Sequence, residues 1–169
     1  MHLAEGILSV PVLASGGVLT AAGVAVGLHR TGDAEVPRVA LMSAAFFIAS
    51  LIHVPLGVAS VHLILNGACG LVLGWAAFPA LLIALLLQAT LFGFGGLAVL
   101  GVNTVIMAAP AVAVGLLLRP WLRRQPSAAP WVGALAGGGS VAASALLAAL
   151  ALYGSHRAFG ATAALLFGA

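Results

Sequence analysis

Residues 7–28 read ILSVPVLASGGVLTAAGVAVGL, a run of 22 residues with no Asp, Glu, Lys or Arg. A helix needs about 20 mostly apolar residues to cross a bilayer, so this stretch is long enough to span. The polar run 29–38 ends it, and further apolar stretches follow at 39–53, 62–77, 79–92, 101–118 and 131–153. The breaks between them are the kind that end helices: His53-Val-Pro-Leu-Gly57, a tight turn at Phe78-Pro79, and the glycine-rich Gly93-Phe-Gly-Gly96. Residues 155–160 form a short polar break, and 161–169 are apolar but too few to span. The chain therefore ends either in a half-helix or short of a final span, and the second is the expectation. The fold class is all-α: a single membrane-embedded domain over 1–169, a polytopic bundle of six to seven transmembrane helices.

Composition agrees and excludes other classes. The 169 residues are 63% hydrophobic and 5% charged, with a mean hydropathy of +1.25, far from soluble usage. The formal charge of +3 comes from six arginines against three acidic residues. These arginines sit in short loops without a basic face or aromatic ladder, so nucleic acid is not an expected partner. Cys69 is the one cysteine, so no intrachain disulfide is available and its apolar setting suits a small core residue. Residues 1–6 carry Glu5 and no Lys or Arg, the reverse of a secretory n-region. The N-terminus is thus expected to stay uncleaved.

Arginine placement sets the expected orientation. If spans alternate, Arg30, Arg38, Arg119, Arg123 and Arg124 fall on one side and only Arg157 on the other. By the positive-inside rule the five face the cytoplasm. The N-terminus, the 53–61 connection and the 93–101 connection then face outward together, which brings Met1, His2, His53 and His62 to one side.

That co-location matters because Met1-His2 can chelate a transition metal. A free Met1 amine, the Met1–His2 amide nitrogen and the His2 ring Nδ1 close a five- and a six-membered chelate ring with almost no loop entropy to lose. Three in-plane nitrogens leave one position open in a tetragonal set, which suits Ni(II) and Cu(II) more than tetrahedral Zn(II). An imidazole from elsewhere would complete it and couple metal binding to ordering of the tail. His62, at the start of the third span, and His53, at the outer end of the second, both qualify, and position alone does not rank them. His29 and His156 read as interfacial.

Polar residues inside apolar spans are functional hypotheses by default. Asn66 lies one helical turn below His62 if the third span starts there, and Asn103 and Thr104 follow the outer glycine-rich loop. Either asparagine could orient a ligand histidine by accepting its ring N–H; for Asn66 an interhelical hydrogen bond is an equal reading. Gln88 reads as a helix–helix contact. Glu5 is left to pair with a donor in the tail or to draw cations to the mouth. The pairs Gly23/Gly27, Gly70/Gly74 and Gly133/Gly137 read as close-packing sites.

The segment Met1-His-Leu-Ala-Glu-Gly6 resembles the N-terminal signature of the cobalt/nickel substrate-binding membrane subunits of energy-coupling-factor transporters, the CbiM/NikM family. His53-Val-Pro-Leu-Gly57 with Ser60-Val-His-Leu-Ile-Leu-Asn-Gly67, Gly74-Trp-Ala-Ala-Phe-Pro79 and Phe94-Gly-Gly-Leu-Ala-Val-Leu-Gly-Val-Asn-Thr104 are similar too, in order over residues 1–110. The resemblance implies a Co(II) or Ni(II) ion as transported substrate, with no organic cofactor. It implies ligation by the Met1 amine, the His2 amide and ring nitrogens and one further histidine, which matches His62. It also implies seven membrane helices, an outward N-terminus tucked into the bundle, and a setting in the prokaryotic cytoplasmic membrane. The implied partners are a transmembrane coupling (T) subunit, a pair of ATPases and a small accessory membrane subunit. The small-residue faces are candidates for contacting the coupling subunit.

Such a subunit is not an enzyme. The chain has no Lys and so no Gly-x-x-x-x-Gly-Lys phosphate loop, which leaves ATP hydrolysis to partners. The competing readings are a stand-alone secondary carrier, a structural membrane subunit and a membrane-embedded metalloenzyme, the last of which calls for a general base beside an open metal position. A carrier calls for ionisable relays at mid-membrane depth, yet Glu5, Asp33 and Glu35 lie outside the spans. A structural subunit predicts no metal affinity. The ligand set does not separate cobalt from nickel, and copper suits it at least as well.

Overall fold

In a computed structural model, the backbone is described at residues 3–56, 59–62 and 64–167, and side chains at 3–52 and 64–156. Among the described residues six helices make the bundle: α1 Val10–His29, α2 Val36–Leu51, α3 Asn66–Leu73, α4 Ala77–Phe92, α5 Leu100–Arg124 and α6 Ala129–Phe167. Between α2 and α3 stand two short strands, β1 His53–Leu56 and β2 Ala59–His62. Short 3-10 turns at Asp33–Glu35, Gly74–Ala76 and Pro126–Ala128 join successive helices.

Helix α5 is the hub, packed against α1, α3, α4 and α6, while α2 rests mainly on α4. In their apolar 18-residue segments, 61% of the residues of Asn66–Phe92 and 56% of those of Leu100–Arg124 are buried, against 22–28% in the other three, so α3, α4 and α5 form the centre and α1, α2 and α6 surround it. Phe46, Cys69, Phe78, Leu81, Leu85 and Met107 fill the main core. A smaller cluster, Leu8, Val99, Val102, Ile106 and Ala148, fills the end where the N-terminal tail enters.

The third expected span is a half-length helix. With 8 residues, α3 rises about 12 Å, well short of the ~30 Å hydrocarbon core. Five stretches of the described residues are long and apolar enough to cross, with Asn66–Phe92 counted as one. The turn falls at Gly74 rather than at Phe78-Pro79. Gly74 takes φ 60, ψ −124, a region closed to residues with a Cβ, while Pro79 is tolerated in the first turn of α4. Residue His62 accordingly ends β2 instead of starting a helix, so Asn66 does not lie one turn below it on a shared helix face. The polar residues 155–160 do not interrupt α6, which runs unbroken to Phe167. Ser155 is buried there and accepts a hydrogen bond from the Ser9 N–H at 3.2 Å, binding α6 to the start of α1.

Two of the glycine pairs carry close crossings. A Cβ on Gly70 would strike the Ala111 carbonyl oxygen and one on Gly115 would strike that of Gly70, so α3 and α5 meet backbone to backbone. A Cβ on Gly23 would lie 2.5 Å from Phe78, and one on Gly27 would lie 2.7 Å from Pro79. Around Gly133 and Gly137 there is nothing within 4 Å, so this pair packs against no described neighbour.

Arg30, Arg38, Arg119, Arg123 and Arg124 gather at one end, as their spacing leads one to expect. Arg30 lies over the Trp75 ring at 5.4 Å, and Arg119 Nη2 donates to the Val72 carbonyl at 2.6 Å. Arg38 lines a small cavity with Val72 and Leu73, and Arg123 and Arg124 share a cavity with Arg119.

Candidate metal centre

At the opposite end the tail is tied down at three points. The Leu3 N–H donates to Asn103 Oδ1 at 3.0 Å, and Asn103 Nδ2 donates to the Leu3 carbonyl at 3.1 Å. Asn103, 3% exposed on the first turn of α5, so pairs with a peptide unit in both directions. The second tie is Glu5, whose Oε1 accepts the Ala98 N–H at 2.8 Å. Its carboxylate lies against Gly96, where φ is +103, a conformation that strains any residue with a Cβ. The third is the Ser9–Ser155 bond. Leu3 also packs onto the Leu8–Val99–Val102 cluster.

Met1 and His2 lie outside the described residues, as do the side chains of His53 and His62. The backbone does pair these two histidines: β1 and β2 are antiparallel, with His53 opposite His62. Directly opposed Cα atoms in such a ladder lie about 4.5–5.5 Å apart, so both candidates for the remaining ligand stand on one rung.

Asn66, fully buried at the start of α3, is a three-helix junction. Its Nδ2 donates to Ser144 Oγ at 3.1 Å and towards the Met107 carbonyl at 3.5 Å, and its Oδ1 accepts from Ser140 Oγ and the Gly67 N–H at 2.9 Å each. These bonds join α3 to α5 and α6. Thr104 donates to the Leu100 carbonyl of its own helix at 2.8 Å. Gln88 Nε2 donates to Ser50 Oγ at 2.6 Å, a helix–helix contact between α4 and α2.

The partners Ser140, Ser144 and Ser155 escape the sequence reading. The four-residue step from Ser140 to Ser144 inside an apolar stretch is the signal that points to them. Among the described residues, no three His, Cys, Asp or Glu side chains come together as a metal site.

Comparison with known proteins agrees with this architecture. The sequence profile of CbiM, described as the cobalt uptake substrate-specific transmembrane region, matches residues 2–169. A putative metal transport protein of Haemophilus influenzae is 59% identical over 125 residues, covering 74% of this chain and 61% of that protein. The cobalt transport protein CbiM of Sorangium cellulosum is 34% identical over 162 residues, 90% of this chain and 72% of its own length. The crystal structure of a truncated transition metal transporter superposes with a TM-score of 0.76 at 31% identity, covering 90% of this chain and 74% of that one. The chain thus spans 61% of the length of its Haemophilus relative. A profile match along nearly the whole chain, joined to a solved transporter fold, places it in a family: this multi-pass membrane protein belongs to the CbiM family.

Proposed function

We propose that the chain is the substrate-binding subunit of an energy-coupling-factor transporter that takes up Co(II) or Ni(II). The ion is held by the Met1 amine, the His2 amide and ring nitrogens and the His62 ring, at the outward end of the bundle. The observation that carries this reading is the two-way bond between Leu3 and Asn103. Fixing the peptide at Leu3 fixes where the chain before it departs, and the His2 Cα is one 3.8 Å step away. His62 precedes Asn66 by four residues, at most about 14 Å of extended chain. Asn66 reaches Met107, which lies one turn along α5 from Asn103. Tail and hairpin are therefore within reach of a common point, and preorganising the tail lowers the entropy lost when the ion binds.

The arginine end faces the cytoplasm by the positive-inside rule, in the prokaryotic cytoplasmic membrane. A transmembrane coupling subunit, an ATPase pair and a small accessory membrane subunit are its partners and supply the ATP hydrolysis. Glu5 serves as a tail anchor through Ala98.

The test is titration of the purified protein with Ni(II) and Co(II), beside a version carrying one extra residue before Met1. Stoichiometric binding by the native protein alone is the expected result. Equal binding by both removes the amine from the site, and binding by neither removes metal capture from this chain.

A further inference from the structure

The arginine end carries a chain of cavities that metal capture leaves unused. A groove of about 520 Å³ between α1 and α5 is lined throughout by apolar residues, among them Leu19, Phe78 and Val112. Trp75 and Leu116 also line a second cavity of about 210 Å³, bordered by Arg30, Arg119 and Glu35. Leu116 and Arg119 border a third, of about 370 Å³, together with Arg123 and Arg124. Four guanidinium groups thus border the two smaller cavities against one carboxylate.

The guanidinium groups at the junction are held in place. Arg30 stacks on Trp75 at 5.4 Å, and Arg119 is tethered to the Val72 carbonyl. A Cβ at Gly74 would come within 2.8 Å of Arg119 Nη1, so the glycine leaves that group its room. Along α5 the groove runs from Val105 to Leu116, about 16 Å at 1.5 Å per residue. One leaflet of a ~30 Å hydrocarbon core has nearly that depth.

We propose that these adjacent cavities bind one anionic phospholipid, with its phosphate between Arg30 and Arg119 and an acyl chain in the Leu19–Phe78–Val112 groove. Basic pockets between membrane helices on the cytoplasmic side suit such headgroups, and guanidinium pairs bidentately with phosphate oxygens. The groove accounts for the tail, and a soluble anion would leave it unfilled.

The test uses the full chain, stripped of lipid in an uncharged detergent, with phosphatidylglycerol, phosphatidylcholine or inorganic phosphate added. Native mass spectrometry reads retained lipid and thermal unfolding reads Tm. Phosphatidylglycerol is expected to be retained and to raise Tm, and the other two to do neither. Arg30→Gln with Arg119→Gln should weaken retention about thirtyfold. Ala113→Phe, which fills the groove without altering charge, should weaken it as well even if the double variant fails to fold. Arg157→Gln should leave retention unchanged. Equal retention of both lipids, equal retention by Ala113→Phe and the unaltered chain, or reproduction of the Tm rise by phosphate alone would each overturn the proposal.

Discussion

Asn103 and Leu3 are joined by two hydrogen bonds, at 3.0 and 3.1 Å, that use both ends of one side-chain amide on one residue's backbone. The bond pattern ignores the Leu3 side chain and reads only its main chain. Asn103→Ala should therefore release the first of the tail's three ties without disturbing α5, where the Asn103 N–H still bonds to the Val99 carbonyl. The expected loss is about 1–3 kcal/mol of stability from orphaned backbone groups and about tenfold in Ni(II) affinity, as the tail must order itself on binding. Asn103→Asp should do as badly, because its carboxylate faces the Leu3 carbonyl. Calorimetric titration with thermal unfolding reads both; unchanged affinity with reduced stability would make Asn103 purely structural.

Asn66 offers the contrasting case. Its bonds to Ser140 and Ser144 join three helices, and interhelical hydrogen bonds in membranes average about 0.6 kcal/mol. Asn66→Ala should cost about 1–2 kcal/mol. A double-mutant cycle with Ser140→Ala should show coupling, while Ni(II) affinity stays within about threefold. A loss of affinity beyond the loss of stability would return Asn66 to the ligand-orienting role.

Glycine spacing does not distinguish contact from open space, and substitution should. Gly70→Ala puts a methyl into the Ala111 carbonyl, with an expected cost of about 3 kcal/mol. Gly133→Ala meets nothing within 4 Å and should be neutral or gain up to about 1 kcal/mol of helix propensity. Thermal unfolding of the two variants in detergent checks the pair, and equal destabilisation would deny the α3–α5 crossing.

The membrane class, the shared arginine end and most helix positions are legible in the sequence because hydropathy and charge act locally. The length of α3 is not. Gly74 and Phe78-Pro79 both carry turn signals, and only the packing of Gly70 on Ala111 and Gly115 selects the earlier one. The hairpin holding His53 and His62 escapes notice because a short apolar run looks the same as strand or helix. Residues 155–160 look like a break, yet Ser155 is a buried partner of Ser9, and tertiary contact keeps α6 helical there. At the candidate site the sequence supplies Met1, His2 and the two histidines as donors, and Asn103 as a polar residue beside them. That Asn103 grips the tail's main chain depends on a separation of 100 residues, which no local pattern encodes.

The rung that sets His53 opposite His62 makes the last ligand a sharp question. On the proposed ligation, three nitrogens come from Met1 and His2 and one imidazole completes the square. His62→Ala should weaken Ni(II) binding at least about a hundredfold, and His53→Ala by less than about tenfold. The reverse order would move the ligand to the other strand of the same rung. Acid should act in the same direction as His62→Ala: amine, amide and imidazoles bind metal only when deprotonated, so protons compete with the ion and affinity falls as pH drops. A titration series from pH 8 to pH 5 should show affinity falling throughout, with a shallower slope for His62→Ala because one competing proton is gone. A flat profile for the unaltered chain would exclude nitrogen ligation.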